Sequence, residues 1–221
     1  MRGLRIALGG MKHLVVVILA LAMLAACAKH QPPPSNTASP APTPASTGTS
    51  AVSGAAPYNP ADVHFLAGMI GHHAQAIQMA GWAPSRGASP SVRALCERIV
   101  VAQNDEIVFA QRWLREHGEY VPPADPRGHI MPGMDHPMLM PGMLTPEQMA
   151  QLDTARGTEF DRLFLTFMIQ HHQGAIDMVE QLLGAPGAAQ DDNVWKFASD
   201  VHVDQITEID FMSKMLAALA P

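Results

Sequence analysis

The sequence predicts an all-α protein, an antiparallel four-helix bundle built from two repeated helical hairpins. The 19-residue segment 62–80 recurs at 161–179 with ten identical positions, where chance gives about one. A weaker repeat follows each copy, since QNDEI at 103–107 corresponds to QITEI at 205–209. Apolar residues in all four segments recur every three or four positions, which is the period of a helix. Two such hairpins pack most simply as a bundle with pseudo-two-fold symmetry.

The N-terminal residues have the pattern of an export signal. Residues 14–26 form an apolar run of 13 that follows Lys12, which is too short to span a bilayer. The run ends in Leu-Ala-Ala-Cys, which resembles a bacterial lipobox. We therefore predict a lipoprotein signal peptide over residues 1–26, with acylation at Cys27; the alternative is an ordinary secretory peptide with a chance cysteine. Met11 would make as good a start as Met1.

This signal predicts an exported protein, lipid-anchored on the outer side of the bacterial cytoplasmic membrane or in the periplasm or outer membrane. Residues 27–57 are predicted to be a disordered tether, because seven prolines lie there among Ser, Thr, Ala and Gly. The folded part is then 58–221. It divides into a hairpin at 58–118, a Met-rich loop at 119–144 and a second hairpin at 145–221.

Capping signals place the helix ends. Asn59, Ser89 and Thr145 each precede a proline, the pattern of an N-cap followed by Pro at the first helical position. Thr145 and Gln148 also form a capping box. Gly157 is predicted to separate a short lead-in helix from the long third helix. The stop signals are Gly81, Gly118 and Gly184.

Both copies of the long repeat carry adjacent histidines flanked by methionines on the apolar side: Met69, His72, His73 and Met79, and Met168, His171, His172 and Met178. Adjacent helical residues point about 100° apart. One histidine of each pair should therefore face the bundle centre and the other a flanking helix.

The second and fourth helices each carry one glutamate on a predicted apolar stripe. The stripes are Leu95, Ile99, Ala102, Glu106, Phe109 and Trp113, and Phe197, Val201, Asp204, Glu208, Phe211 and Met215. A buried lone carboxylate needs a partner. We therefore expect Glu106 and Glu208 to lie inside the bundle, in contact with the histidine pairs.

Thioether and imidazole ligands together suit copper, above all Cu(I). The sequence thus predicts a metal site among the paired histidines and methionines of the bundle, with Glu106 and Glu208 as further candidates. Imidazole must be neutral to bind a metal, so this copper is expected to leave as the pH falls through the histidine range. The alternative is a metal-free core of hydrogen-bonded His and Glu with Met as filler.

The segment HIMPGMDHPMLMPGM at 129–143 is a second candidate metal site. Pro and Gly prevent a regular helix, and its methionines are not at helical spacing. Soft thioethers on such a loop suit Cu(I) or Ag(I) independently of the core site. The candidates are His129, Met131, Met134, His136, Met138, Met140 and Met143. Alternatives are a loop that packs against the bundle and methionines that scavenge oxidants. His64, His117 and His202 are not predicted to be ligands.

The motif M-I-x-H-H-x-x-A-I-x-M, present at 69–79 and 168–178, resembles domain-of-unknown-function family 305. The resemblance extends over about residues 58–219. It implies a ferritin-like four-helix bundle that is usually exported and is linked to periplasmic copper binding and tolerance. The family has no agreed biochemical activity. One departure is Gly71, where the second copy has Gln170, and we expect it to have no consequence.

The leading functional hypothesis is a membrane-anchored protein that binds a copper ion and buffers it or passes it to a copper-delivery protein. A ferritin-like dimetal oxidase is the alternative, but its Glu-x-x-His pairs do not occur in the sequence. A metal-free interaction module is the third class. No catalytic motif is present, so we do not expect an enzyme. The net charge of −6 argues against nucleic-acid binding. The sequence predicts no oligomeric state.

Overall fold

The structure is a computed structural model that describes residues 58–219. The predicted signal peptide, Cys27 and the tether at 27–57 lie outside the described residues. The described part contains five helices and no strand, only an isolated bridge between His129 and Met138. The helices are α1 (Pro60–Gly81), α2 (Pro90–Glu116), α3 (Pro146–Thr154), α4 (Gly157–Gly184) and α5 (Asp192–Ala218). The all-α prediction is confirmed.

The predicted caps start the helices. Asn59 accepts hydrogen bonds from the first turn of α1, and the carboxylate of Asp62 accepts one from the backbone N–H of Asn59 at 3.0 Å. Thr145 and Gln148 form the same reciprocal arrangement at α3. Gly157 is the first residue of α4 and has a φ of +56°, so it turns the chain between α3 and α4. Asp191, which caps α5, has no proline after it and was not predicted.

The two hairpins pack through their first long helices. α1 packs against α2, α4 packs against α5, and α1 and α4 lie antiparallel at the centre. On one side of this central pair, α2 and α5 hardly touch each other and leave a cleft of about 370 Å³ between them. The loop at 119–144 and the short α3 lie against α1 and α4.

A layer of histidines divides the core. One apolar cluster combines the first half of α1 with the second half of α4, and it includes Phe65, Met69 and Met178. The other combines the end of α1 with α3 and the first half of α4, and it includes Met79 and Met168. In both α1 and α4, the histidine pair separates most of the stretch that contributes to one cluster from the stretch that contributes to the other. Apolar burial on both sides thus fixes the level at which the histidines meet.

Each repeat begins with an aspartate that holds the turn of the other hairpin. Asp62 accepts a 2.7 Å hydrogen bond from the backbone N–H of Ala189, in the turn between α4 and α5. Asp161 accepts from the backbone N–H of Ser89, in the turn between α1 and α2, at 3.1 and 3.2 Å. Both carboxylates are buried, at 0% and 2% exposure. These reciprocal contacts join the two hairpins.

The predicted stripes of the second and fourth helices are partly wrong. Ala102, Asp204 and Phe211 are exposed, and they line the cleft between α2 and α5. The buried faces are instead rotated toward α1 and α4 and include Gln103 and Gln205. The reason is that α2 and α5 do not close on each other, so part of each stripe meets solvent.

Among the helices that the structure describes, none has both the length and the apolar character that a membrane span requires.

Candidate metal centre

Four histidines form a buried layer across the middle of the bundle. His72, His73, His171 and His172 are each 0–1% exposed. The rings of His72 on α1 and His171 on α4 meet at the helix interface, with centroids 3.8 Å apart and planes inclined at 39°. Their neighbours point outward toward α2 and α5. The expectation that one histidine of each pair faces the centre and the other a flanking helix is therefore confirmed.

The outer histidines contact the two glutamates. His73 Nε2 lies 2.9 Å from Glu106 Oε2, an ion-pair distance without hydrogen-bond alignment. His172 Nε2 and Glu208 Oε2 form a hydrogen bond at 2.6 Å. The predicted pairing is thus confirmed. The predicted burial of the carboxylates is only partly correct. Oε2 of Glu106 is buried, but the Glu106 and Glu208 side chains are 18% and 24% exposed and both line the α2–α5 cleft.

The histidine layer contains nitrogen atoms with no hydrogen-bond partner. His72 Nε2 lies 3.0 Å from the carbonyl oxygen of Pro141, so the ring donates there and its buried Nδ1 carries the unused lone pair. Glu208 likewise leaves Nδ1 of His172 as a buried, unpartnered acceptor. Both ring nitrogens of His171 are without a partner. Buried polar atoms of this kind are uncommon, because each unmade hydrogen bond costs free energy.

The inner histidines are held in the neutral form. Burial lowers the pKa of His72 from 6.5 to about 3, and the neighbouring His73 adds to the effect. Burial also lowers the pKa of His171 well below its usual range, with His72 as the next contributor. Neutral imidazole is the form that binds metals. The release of core copper on acidification stays a prediction, and the lowered pKa values of the inner pair move the expected release to lower pH than the ordinary histidine range.

The four methionines of the repeated motif are buried on both sides of this layer. Met69, Met79 and Met168 are 0% exposed, and Met178 is 4% exposed. Met69 and Met168 each precede their histidine pair by three and four positions, the spacing that places side chains on one helix face. Because α1 and α4 are antiparallel, one of these thioethers lies on each side of the histidine layer.

Within residues 58–219, no three His, Cys, Asp or Glu side chains converge as a preformed metal site. The unpartnered nitrogens and the adjacent thioethers nevertheless fit a soft ion. The inner rings are closer than two imidazoles that share one ion, so binding between them requires the rings to turn.

The Met-rich loop is not a free loop, because it packs across α1 and α4. Met140 and Met143 are buried at 7% and 5% exposure, and Met131 is half-buried. The other loop candidates, Met134, His136 and Met138, are exposed. The carbonyl oxygen of Pro141 is the partner of His72. The two candidate sites, predicted as independent, therefore share a direct contact.

The duplicated motif differs between its copies where the loop crosses. A Cβ at Gly71 would lie 2.8 Å from the carbonyl oxygen of Gly128, and a Cβ at Gly174 would collide with the backbone of Pro141 and Gly142. A glutamine in each helix also clamps the loop. Gln75 accepts from Leu144 N at 2.7 Å, and Gln170 donates to the carbonyl oxygen of Gly142 at 3.2 Å. The departure at Gly71, expected to have no consequence, thus makes room for the loop.

His129 is the most buried side chain at the start of the loop. It is 1% exposed, and its Nδ1 lies 3.1 Å from the carbonyl oxygen of Ala67. Its Nε2 has no partner. The His64 ring stands perpendicular to it, with a centroid distance of 5.8 Å. Burial, followed by the nearby His64, lowers the pKa of His129.

Sequence reasoning missed His64 beside His129 and two buried glutamines of the second and fourth long helices. His64 has Leu163 at the corresponding position of the second repeat, so no repeat signal marked it. Gln103 and Gln205 are buried at 2% and 3%, each with an unpartnered Oε1. Both open the shared Q-x-x-E-I pattern, which was the signal that could have identified them.

Solved structures share this fold. A DUF305 protein from Streptomyces coelicolor, provisionally described as secreted, is 26% identical with a TM-score of 0.61; the match covers 72% of this chain and 93% of that one. A DUF305 fragment from Deinococcus radiodurans is 28% identical with a TM-score of 0.61, over 73% and 99% of the two chains.

A third similar structure is CopM in its Cu(I)-bound form, which is 25% identical with a TM-score of 0.56 and matches 72% of this chain and 98% of that one. CopM has also been solved in Cu(II)-bound, Ag-bound and apo forms. The similarity therefore extends to a protein that binds copper and silver.

No curated protein sequence matches the chain significantly. The profile of the family described as "Domain of unknown function (DUF305)" matches residues 62–216. That range spans both hairpins, the histidine layer and the loop between them. The chain belongs to the DUF305 family.

Proposed function

We propose that the protein is an exported, membrane-anchored copper-binding protein that holds Cu(I), or Ag(I), for buffering, tolerance or delivery to a partner protein. The observation that carries the proposal is the inner histidine pair. His72 and His171 are fully buried and neutral, and both have ring nitrogens that no protein group satisfies. A soft metal ion would use those lone pairs.

A metal-free core accounts for only half of the histidine layer. His172 has a hydrogen-bonded carboxylate partner, as that alternative requires, and His73 lies at ion-pair distance from Glu106 without a hydrogen bond. The inner pair does not, since His171 has no partner at either ring nitrogen. An ion bound at the inner pair removes this unfavourable feature, and the motif methionines supply further soft donors nearby.

The similarity to CopM supports copper as the metal. CopM is known in Cu(I)-, Cu(II)- and Ag-bound forms, and this chain matches almost its full length. We propose binding rather than catalysis, because no Glu-x-x-His pair for a dimetal oxidase occurs in the sequence. Lipid attachment at Cys27 would hold the bundle near a membrane at the end of the tether.

The test is Cu(I) competition titration of the full chain against a chromophoric chelator, with elemental analysis for stoichiometry. One double variant changes the inner histidines, His72→Leu with His171→Leu. A second changes the exposed loop thioethers, Met134→Leu with Met138→Leu, and leaves the buried loop methionines in place. Met215→Leu, on the half-buried side of α5, is the matched control for loss of sulfur.

We expect the wild-type chain and the Met215→Leu control to bind Cu(I) equally, and the inner-histidine variant to lose bound copper. Circular dichroism confirms that each variant is folded. A wild-type chain that takes up no Cu(I) or Ag(I) would overturn the proposal and favour the metal-free core.

A further inference from the structure

We propose a second metal site, outside the histidine layer, in which His129 and Met131 of the loop and His64 of α1 together bind one Cu(I) ion. The inference rests on the proposed function because it concerns the same metal. It adds a site of different position and composition, and none of its three residues lies in the repeated motif at 69–79 and 168–178.

The first step is the tautomer of His129. The carbonyl oxygen of Ala67 accepts a hydrogen bond from Nδ1, at 3.1 Å, so the lone pair of the neutral ring is on Nε2. The residue is 1% exposed, so this atom is buried, and it has no hydrogen-bond partner. A histidine oriented through one nitrogen by a backbone carbonyl, with the other nitrogen free, is the usual arrangement of a metal ligand.

The second step is the position of His64. Its ring centroid lies 5.8 Å from that of His129, and the two planes are perpendicular. With metal–nitrogen bonds of about 2 Å, two imidazoles on one ion hold their centroids roughly 5–6 Å apart. The His64–His129 pair has this separation already. The His72–His171 pair, at 3.8 Å, does not.

The third step is the soft donor. Met131 is half-buried, and together with His64 it lines a surface cavity of about 380 Å³, which gives an ion a path from solvent. The carboxylate that also lines this cavity is Glu119, whose Oε1 accepts the Tyr58 hydroxyl at 3.1 Å. The two imidazoles and the thioether of the proposed site form a donor set that favours Cu(I) over hard cations.

The site belongs to one half of the molecule only. In the second repeat, Leu163 stands where the first has His64, and no loop segment equivalent to 129–131 follows that repeat. The pseudo-symmetric bundle therefore carries an asymmetric site, located where the loop crosses α1.

The experiment compares the wild-type full chain with His64→Ala and Met131→Leu by Cu(I) competition titration. His64 is exposed, so its replacement leaves the fold intact, and Met131→Leu keeps the bulk of the side chain. His202→Ala, a partly exposed histidine on α5, is the matched control. Side-chain ¹H–¹⁵N spectra of the His129 imidazole give an independent measure of metal binding at Nε2.

We expect His64→Ala to lose one equivalent of Cu(I), or to bind that equivalent at least about tenfold more weakly. Met131→Leu should weaken the same equivalent, and His202→Ala should behave as wild type. Addition of Cu(I) should shift the Nε2 resonance of His129 in the wild-type chain but not in His64→Ala.

The outcomes separate this inference from the proposed function. If His64→Ala keeps every equivalent at unchanged affinity while the inner-histidine variant loses copper, the second site is wrong and the proposed function stands. The reverse result supports the second site and removes the histidine layer as a copper site. A wild-type chain that binds no Cu(I) overturns both.

Discussion

In three buried histidines, the hydrogen bond made by one ring nitrogen determines which other nitrogen is left with a free lone pair. His72 and His172 each donate through Nε2, which leaves Nδ1 as the free acceptor, whereas Ala67 directs His129 to the opposite tautomer. The partner of one ring nitrogen thus fixes which other nitrogen can bind a metal. The partners are the Pro141 carbonyl for His72, Glu208 for His172 and the Ala67 carbonyl for His129. Of these, only Glu208 was predicted from the sequence.

The first prediction at this scale concerns pH. The folded-state pKa of His72 is about 3, and that of His171 is also depressed, while the unfolded value is 6.5. Between these values the unfolded chain binds protons that the folded chain does not, so the metal-free protein loses stability as the pH falls below 6.5 toward 3. Each inner histidine contributes a slope of about 1.4 kcal/mol per pH unit in this window.

The measurement is the free energy of urea unfolding of the metal-free protein across that range. His171→Leu should have a shallower pH dependence than wild type by about one proton. Carboxylates contribute nearly equally to both proteins, so the difference isolates the histidine. Identical slopes in the two proteins would show that His171 is not held neutral by burial.

The second residue-scale prediction concerns the carboxylate partner. Glu208→Ala removes the acceptor of the 2.6 Å hydrogen bond and leaves the buried Nε2 of His172 without a partner. We expect a loss of about 1 kcal/mol in the free energy of unfolding, since Glu208 is partly solvated. Urea denaturation with an unchanged m-value is the readout. Glu208→Gln keeps an acceptor oxygen and should lose less free energy of unfolding. Glu180→Ala, at an exposed residue of α4, should lose almost none. Equal losses in all three variants would contradict the proposed role of the hydrogen bond.

At the scale of elements, the two hairpins are held together by contacts that each makes with the turn of the other. Asp161 accepts from the first residue before α2, and Asp62 does the same for the turn before α5. Asp161→Ala leaves the partly buried N–H of Ser89 without its acceptor and should destabilise the bundle by about 1–3 kcal/mol. The measurement is the stability of Asp161→Ala in thermal and urea unfolding. The control is Asp105→Ala, which changes an exposed aspartate on α2. A loss of stability no larger than that of the control would mean that water replaces the Asp161 carboxylate as the partner of the Ser89 N–H.

The loop at 119–144 can pack closely against α1 because Gly71 has no side chain. Gly71→Ala introduces a Cβ 2.8 Å from the backbone of Gly128, and backbone atoms cannot move aside without shifting the loop. We expect faster tryptic cleavage after the exposed Arg127 in this variant. Gly81→Ala is the control on the same helix, since its Cβ would meet nothing within 4 Å. Equal cleavage rates in the two variants would show that the loop is not anchored through Gly71.

At the scale of the whole molecule, the predicted lipid anchor and the bundle would have separate roles. The tether predicted for residues 27–57 would, as a flexible coil of about 30 residues, have an r.m.s. reach of roughly 30 Å from a membrane surface. We predict that Cys27→Ser moves the exported protein from the membrane fraction to the soluble fraction, because the acylated thiol is lost. Cell fractionation with an immunoblot measures this, and Cys96→Ser, at the buried free cysteine of α2, is the control. Membrane association that survives Cys27→Ser would refute lipid anchoring.

The sequence by itself determined the helices, their order and the level of the histidine layer. Helical periodicity, N-caps with following prolines, and a repeat of ten identities in 19 positions are local signals, and local signals need no knowledge of distant contacts. The same repeat identified the histidine and methionine pairs. Helix geometry correctly predicted that one histidine of each pair faces the centre and the other a flanking helix, without saying which.

Tertiary structure decided what each of those residues meets. The cleft between α2 and α5, which exposes Glu106 and Glu208, depends on the angle at which hairpins pack, and no residue pattern specifies it. The path of the loop, which brings Pro141 to His72 and His129 to His64, depends on contacts between segments more than 60 residues apart. Periodicity records which side of a helix is apolar, but only packing determines which distant groups approach that side and which nitrogens remain free.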